Sequence, residues 1–202
     1  QSLCDPPGDC RFAARFSLRF DIDQARGGLD MFICEAKAKL DEPGCTHGDQ
    51  GFLMARSFFE EVGPFREDLP VMEDTWLAET IRRQGRWERL PIEILTSARR
   101  FQVEGFQPRQ TLNALLVNFM FIGWDDFLKQ FPDVYRQQTE TGRLQLLPFW
   151  REIRRRLKQL SLRERFRIWY ATGSFVRSQA WQLVFQRTAR GCFDRGEVAE
   201  AV

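Results

Sequence analysis

Residues 11–20, RFAARFSLRF, decide the fold class because apolar and polar side chains alternate along them. The apolar members lie on one side of an extended chain: Phe12, Ala14, Phe16, Leu18 and Phe20. Successive side chains of a β-strand point to opposite faces of a sheet. The period of two therefore predicts a strand with one buried face.

The segments after this strand alternate between helix and strand signals. Gly27-Gly28 interrupts the chain before a predicted helix over 29–40, and residues 51–55, GFLMA, predict a short buried strand. Ser57 is followed three residues later by Glu60, which is the spacing of a capping box. A helix is therefore predicted to begin at Ser57 and to end at Gly63-Pro64.

The same alternation continues as far as residue 122. A helix is predicted to begin at 72–74 and to end at Gly85, and short strands are predicted at 87–90 and 92–96. Residues 111–122, TLNALLVNFMFI, predict a helix that is apolar almost all round. Strands and helices that interleave in this way predict an α/β layer structure.

The composition is that of a globular chain. Of the 202 residues, 43% are apolar and 29% are charged, and 19 Phe and 6 Trp provide the bulk for a core. No apolar run approaches the roughly 18 residues that a membrane-spanning helix requires. Five cysteines without a CxxC pair argue against a disulfide framework, and reduced thiols favour a cytoplasmic location.

The charge of the chain changes sign near Gly142. Residues 1–142 hold 17 Lys and Arg against 23 Asp and Glu, whereas residues 143–190 hold 12 against 2. We therefore predict two segments, 1–142 and a basic, all-helical extension over 143–202. One apolar stripe of this extension consists of Leu147, Trp150, Ile153, Leu157 and Leu160. A second, with a bend predicted at 172–174, consists of Leu162, Phe166, Trp169, Gly173, Val176, Ala180 and Val184.

Most standard catalytic motifs are absent from the sequence, including the P-loop, GxGxxG, GxSxG and HExxH patterns. Cys45, His47 and Asp49 alternate and are a weak candidate for a metal site. One histidine and one thiol fall short of a closed zinc site, so a polar loop is favoured and no metal ligand is assigned.

Carboxylates at loop-to-helix junctions are the remaining candidates for chemistry. Asp49 lies in the run GDQG, and Glu73-Asp74 lies in the run PVMED. Spacing alone favours a helix cap over catalysis for Asp74. Arg99-Arg100 are either solvated charges at the end of a strand or a clamp for an anion, since paired guanidinium groups suit phosphate oxygens.

The order of these motifs resembles that of family 2 glycosyltransferases. The matching runs are GDQGFL at 48–53, GPF at 63–65, PVMED at 70–74, RRQGR at 82–86, TSARRF at 96–101 and LN at 112–113. The resemblance covers roughly residues 10–126. It is closest to the small bacterial branch described as selenodomain-associated glycosyltransferases.

The resemblance implies the acceptor-side half of a GT-A fold, with a mixed, Rossmann-like sheet flanked by helices. It also implies an inverting transfer of a sugar from a nucleotide-diphosphate donor to an acceptor hydroxyl. Asp74 would be the general base and Glu73 would support it. The acceptor and donor sugar would lie against the Asp49, Gln50 and Gly51 loop. The donor diphosphate would face a pair of arginines, Arg99 and Arg100.

Two features of the family are expected to be missing from this sequence: the nucleotide-binding half and its metal-binding motif. Family members begin with a nucleotide-binding half that ends in a metal-binding Asp-x-Asp motif. Asp21-Ile22-Asp23 has those letters but follows the family's next strand, so we do not assign the motif to it. We therefore expect a fragment in preference to a catalytically inactive relic of the fold. The family's cofactor, a divalent Mg²⁺ or Mn²⁺ ion, is expected to have no ligands in this sequence.

Two other classes of function stay open. One is a non-catalytic binding module derived from the same fold. The other is a basic helical protein that binds a membrane surface or, less favoured, a nucleic acid. Residues 143–190 have two interpretations. A helical hairpin packed on the α/β domain is slightly favoured over peripheral contact with the inner face of a membrane.

Overall fold

The computed structural model describes residues 11–22, 24–136 and 142–202. Contacts divide the chain into two compact units, and the first combines residues within 1–66, 73–97 and 185–202. The second combines residues 67–72 and 98–184. No helix in the described ranges is long and apolar enough to cross a membrane.

The first unit contains a three-stranded mixed sheet. Its strands are β1 (Phe12–Phe20), β2 (Phe52–Met54) and β3 (Arg86–Thr96), in the order β2-β1-β3. β1 pairs with β2 antiparallel and with β3 parallel. The two short strands predicted at 87–90 and 92–96 form one strand, because a bulge opposite Phe16 and Ser17 takes up Pro91 and Ile92 without ending the pairing.

The strand predicted at the start of the chain is confirmed, but it is buried on both faces. Ala13 and Arg15 are as buried as Ala14 and Leu18 on the other face. The second face is covered because Ala13 packs against Phe58, Leu77 and Ile81. β2, predicted to be buried, is instead a partly exposed edge strand.

Three helices of the first unit precede β3: α1 (Gln24–Ala38), α2 (Arg56–Val62) and α3 (Glu73–Gln84). The predicted glycine break is a kink within α1, where Gly28 has a φ of 51°. The capping box predicted for α2 is wrong. Its N-cap is Ala55 without a side-chain bond, and Glu60 instead accepts a hydrogen bond from Arg56 Nε at 2.9 Å.

A small apolar cluster joins α2 and α3 to β1. Its buried members are Ala13, Phe58, Val62, Leu77 and Ile81. The junction of α3 with β3 is tight, because a Cβ placed on Gly85 would lie 2.4 Å from Phe58 Cζ and 2.7 Å from the Arg11 carbonyl oxygen. Only glycine fits this position.

The described residues of the second unit form helices and the loops between them, with no strand. Its helices are α4 (Arg99–Glu104), α5 (Phe106–Phe121), α6 (Asp125–Arg136), α7 (Leu147–Gln159) and α8 (Leu162–Ser178). Its core consists of Leu69, Leu112, Leu116, Phe119, Trp124, Phe127, Leu128, Phe131, Leu144, Phe149 and Ile153. α9 (Trp181–Asp194) follows, and its residues from Phe185 onward belong to the first unit.

The predicted class of mixed α/β fold with a helical C-terminal part is confirmed at that level. The contacts, however, do not follow the predicted division at residue 142. Phe149 and Ile153 of α7 share one core with α5 and α6, so the change of charge at Gly142 falls within a compact unit.

The second predicted stripe of the extension faces outward. α8 has no buried residue, and it continues through 172–174, where a bend was predicted, to end at Ser178. The prediction that the second stripe packs against the protein is therefore wrong for α8. α7, in contrast, is packed through Phe149 and Ile153.

Candidate functional site

Asp74 lies in the first turn of α3, half-buried, and both of its carboxylate oxygens are held by the backbone. Asp74 Oδ2 accepts a hydrogen bond from the Gly48 N–H at 2.6 Å. Asp74 Oδ1 accepts one from the Thr75 N–H at 2.6 Å and one from Thr75 Oγ1 at 3.2 Å. The side chain therefore joins the start of α3 to the GDQG loop and is not a simple helix cap, since Met72 and Glu73 precede it at the helix start.

Gly48 allows this contact because it has no side chain. A Cβ at position 48 would lie 2.9 Å from Asp74 Oδ2 and 3.2 Å from Asp74 Cβ. Any other residue would push the carboxylate away from the loop, so the glycine of the run GDQG fixes where the oxygen of Asp74 lies.

A chain of hydrogen bonds connects the one histidine to the carboxylate. His47 Nδ1 lies 2.8 Å from Thr75 Oγ1, and Thr75 Oγ1 donates to Asp74 Oδ1. A hydroxyl has a single proton, so His47 Nδ1 must be the donor to Thr75 when Thr75 donates to Asp74. The arrangement fixes the orientation of both side chains.

A buried arginine, Arg15, holds the GDQG loop through a hydrogen bond to Gln50. Arg15 of β1 is 1% exposed, and its Nη1 donates to Gln50 Oε1 at 3.0 Å and to the Ala38 carbonyl at 2.5 Å. Its Nη2 donates to the Leu40 carbonyl at 2.7 Å. Burial lowers the pKa of Arg15 from its ordinary value.

Gln50 is placed differently from the other predicted loop residues. It is fully buried, and its Nε2 donates to the Cys45 carbonyl at 2.8 Å while its Oε1 accepts from Arg15. Its amide is therefore used inside the protein, and it holds the loop in place. Asp49 is exposed, and Gly51 is half-buried with a φ of 62°.

The weak metal candidate is not assembled. Cys45 is buried, and desolvation raises the pKa of its thiol to about 11, so it stays protonated at neutral pH. His47 is directed to Thr75 instead. Within the described ranges, no group of three or more His, Cys, Asp or Glu side chains converges as a metal site would require. Asp23, Cys4 and Cys10 lie outside those ranges.

The residue before the Glu73-Asp74 pair has a strained backbone. Met72 has a φ of 68°, and no other non-glycine residue in the described part of the chain has a positive φ. Such a conformation costs of order 1–3 kcal/mol for a residue with a side chain, and residues of this kind cluster at active sites and ligand-binding sites. Glu73, next along the chain, is half-buried at the start of α3.

Arg99 and Arg100 belong to the second unit. They are the first two residues of α4, which follows β3 after a two-residue turn, and both are exposed. The alternative that Arg99 and Arg100 lie at the end of a strand is wrong, because β3 ends at Thr96.

Two residues that matter at this site, Thr75 and Arg15, were not predicted from the sequence. Gly48 and His47 were predicted in other roles, Gly48 as part of the GDQG motif and His47 as part of a weak candidate metal site. Thr75 carried a signal, because it follows Glu73-Asp74 directly. Arg15 carried none, since an arginine that alternates with apolar residues is typical of a solvated strand face.

Comparisons with known proteins found no counterpart: no protein-family description, no curated protein and no solved structure matches the chain.

Proposed function

We propose that the chain is the acceptor-side part of an inverting glycosyltransferase of the GT-A type, with Asp74 as the general base. The observation that carries the proposal is the position of Asp74. Its half-buried carboxylate is held at a loop-helix junction by the backbone N–H groups of Gly48 and Thr75. The same loop and helix start contain the runs that resemble family 2 glycosyltransferases.

The hydrogen bonds of Asp74 leave room for the reaction. An ionised carboxylate has about four lone-pair sites, and three hydrogen bonds occupy three of them. The remaining site can accept the proton of an acceptor hydroxyl. As the O–H bond breaks, the acceptor oxygen bonds to the anomeric carbon, and the bond from that carbon to the nucleoside diphosphate breaks on the opposite face. Asp74 then returns the proton to water.

The neighbouring residues have supporting parts in this proposal. His47 and Thr75 orient the carboxylate, and Glu73 contributes a second negative charge beside it. Asp49 and Gly51 line the side of the sugar, whereas Gln50 positions the loop from inside through Arg15. By the resemblance, Arg99 and Arg100 of the second unit would serve an anionic group, since paired guanidinium groups suit phosphate oxygens.

The described residues do not fit the divalent metal that the resemblance implies. No carboxylate, histidine or cysteine group within those ranges has the composition of a metal site. The proposed proton transfer is therefore assigned to Asp74 alone, and no step is routed through a metal.

The test is a transfer assay with a panel of nucleotide-diphosphate sugars and hydroxyl acceptors, run on the full-length protein in which these residues occur. Release of nucleoside diphosphate that depends on the acceptor is the expected result. Asp74→Asn keeps the shape of the side chain but removes its basicity, so it should lower the transfer rate about 10²–10⁴-fold. Binding of the donor, measured by calorimetry, should stay within about twofold.

A matched control is available in α6. Asp126 is also the second residue of a helix, follows another aspartate and is exposed, so Asp126→Asn makes the same change of charge at the same helix position. It should leave the transfer rate unchanged. A rate in Asp74→Asn that equals the rate in Asp126→Asn would remove Asp74 from the role of base. Donor binding without acceptor-dependent turnover would support the non-catalytic binding module instead.

A further inference from the structure

We propose that the outward face of α8 binds an anionic lipid surface, which is a separate matter from the proposed transfer reaction. We call this face the outer stripe and define it as Leu162, Phe166, Trp169, Gly173 and Val176. These positions follow one another by four, three, four and three residues, so they lie along one side of the helix.

The outer stripe is exposed to an unusual degree for large apolar side chains. The exposed fractions are 80% for Leu162, 72% for Phe166, 69% for Trp169 and 61% for Val176. Tyr170 beside them is 70% exposed, and its ring stacks on Phe166 with centroids 6.3 Å apart. Contiguous exposed apolar surface of this kind marks an interaction site.

The other side of α8 already has its partners, so the outer stripe is not a core face that lacks its neighbour. Phe175 stacks on Phe121 of α5 with ring centroids 5.3 Å apart. Thr172 Oγ1 accepts a hydrogen bond from Asn118 Nδ2 at 3.3 Å. The helix start is fixed as well, because Ser161 and Glu164 form a complete capping box. α8 is therefore anchored by one face and presents the other.

Charge identifies the partner of the outer stripe. Three arginines each follow a member of the stripe by one residue: Arg163, Arg167 and Arg177. All three are exposed, and they belong to the 143–190 stretch with its excess of ten positive charges. An apolar face bordered by arginines is typical of a helix that lies in the interface of an anionic membrane, with its aromatic rings at the level of the headgroups.

The alternative occupants agree less well with these observations. A second copy of α8 on the same face would bring arginines of like charge next to one another. A nucleic acid would neutralise the arginines but would leave Leu162 and Val176 without an apolar partner. A lipid surface satisfies both features, because headgroup phosphates pair with the arginines while acyl chains cover the stripe.

The test is co-sedimentation of the full chain with vesicles of phosphatidylcholine alone and with 30% phosphatidylglycerol. We expect binding to the anionic vesicles and little to the neutral ones. Arg163→Gln with Arg167→Gln should weaken anionic binding about 30-fold, at about 1 kcal/mol for each basic residue near the surface. Phe166→Ser with Trp169→Ser should weaken it at least tenfold, since the stripe loses most of its insertable area.

Two control variants match these changes at other places. Arg83→Gln removes an exposed arginine of α3, and Ile92→Ser removes an exposed apolar side chain of β3. Both should bind vesicles as the unchanged chain does, and circular dichroism should be the same for all variants.

Four results would overturn the proposal. The first is absence of binding to anionic vesicles. The second is equal loss of binding in the stripe variants and in the controls. The third is a dimer, seen by light scattering, that dissociates in Phe166→Ser with Trp169→Ser, because the outer stripe would then be an interface between two copies. Retention of single-stranded nucleic acid through the same residues, without vesicle binding, would likewise refute it.

Discussion

Gly85 is the residue at which a single methyl group should damage the fold most clearly. In Gly85→Ala, the new Cβ would lie 2.4 Å from Phe58 Cζ and 2.7 Å from the Arg11 carbonyl oxygen. Carbon atoms at their optimal separation are about 3.5–4.0 Å apart, so one side must move by about 1 Å. Phe58 is fully buried, and Arg11 O accepts the hydrogen bond from Arg86 N at 2.9 Å. Neither group has room to retreat.

The expected magnitude follows from two opposing effects. Overpacking of a core costs about 1–3 kcal/mol. The alanine also restricts the unfolded chain, which stabilises by about 0.4–1 kcal/mol. The net loss should be about 2 kcal/mol of the free energy of unfolding. With a urea m-value of about 2–3 kcal/mol/M, the unfolding midpoint should fall by about 1 M.

Two further variants make the test specific. Gly173→Ala in α8 meets no atom within 4 Å, so it should raise the stability by about 0.5–1 kcal/mol through helix propensity. Phe58→Leu removes the ring carbons nearest to Gly85. The pair Gly85→Ala with Phe58→Leu should therefore cost about 1 kcal/mol less than the sum of the two single changes. Equal midpoints for Gly85→Ala and Gly173→Ala would refute the proposed close packing at this junction.

Three more predictions concern the loop and its support. Gly48→Ala should displace the Asp74 carboxylate and lower any transfer rate about 10²-fold. The free energy of unfolding should change by no more than about 1 kcal/mol. A turnover assay measures the first effect and urea unfolding measures the second. Arg15→Met should destabilise by about 3–5 kcal/mol, because three acceptors lose their buried donor, whereas Arg19→Met, at an exposed position near the end of the same strand, should change the urea midpoint little. Unfolded Cys45 ionises above its ordinary pKa of 9.0 while the folded thiol holds its proton to about 11. Between pH 9 and 11, stability should therefore fall by about 2–3 kcal/mol more in the unchanged chain than in Cys45→Ala. Equal pH profiles for the two chains would contradict it.

Local patterns in the sequence predicted most of the elements. Alternation predicted β1, and the glycines at 63 and 85 predicted where α2 and α3 end. These signals depend on neighbours along the chain, so the sequence contains them directly. The capping box predicted from Ser57 and Glu60 was wrong, because Glu60 accepts a hydrogen bond from Arg56, the residue before Ser57.

Features that depend on distant neighbours were not predictable in the same way. The second face of β1 is buried because Ala13 packs against Phe58 of α2 and Leu77 of α3, and no local pattern encodes that contact. The stripe of α8 was predicted correctly as a stripe, but which side faces the protein depends on Phe121 and Asn118 of another helix. At the candidate site, the ordered motifs predicted Asp74 and the loop. The links through Thr75 and Arg15 join residues far apart along the chain.

The central position of β1 has a consequence for how the protein is made. Ser17 of this strand accepts a hydrogen bond from Arg89 of β3, which lies 72 residues later in the chain. At a synthesis rate of about 5–20 residues per second, β1 leaves the ribosome several seconds before its parallel partner exists. During that interval an apolar strand with unpaired N–H and C=O groups is a template for aggregation. Chaperones that hold extended apolar segments should therefore bind the nascent chain early and release it once β3 has emerged.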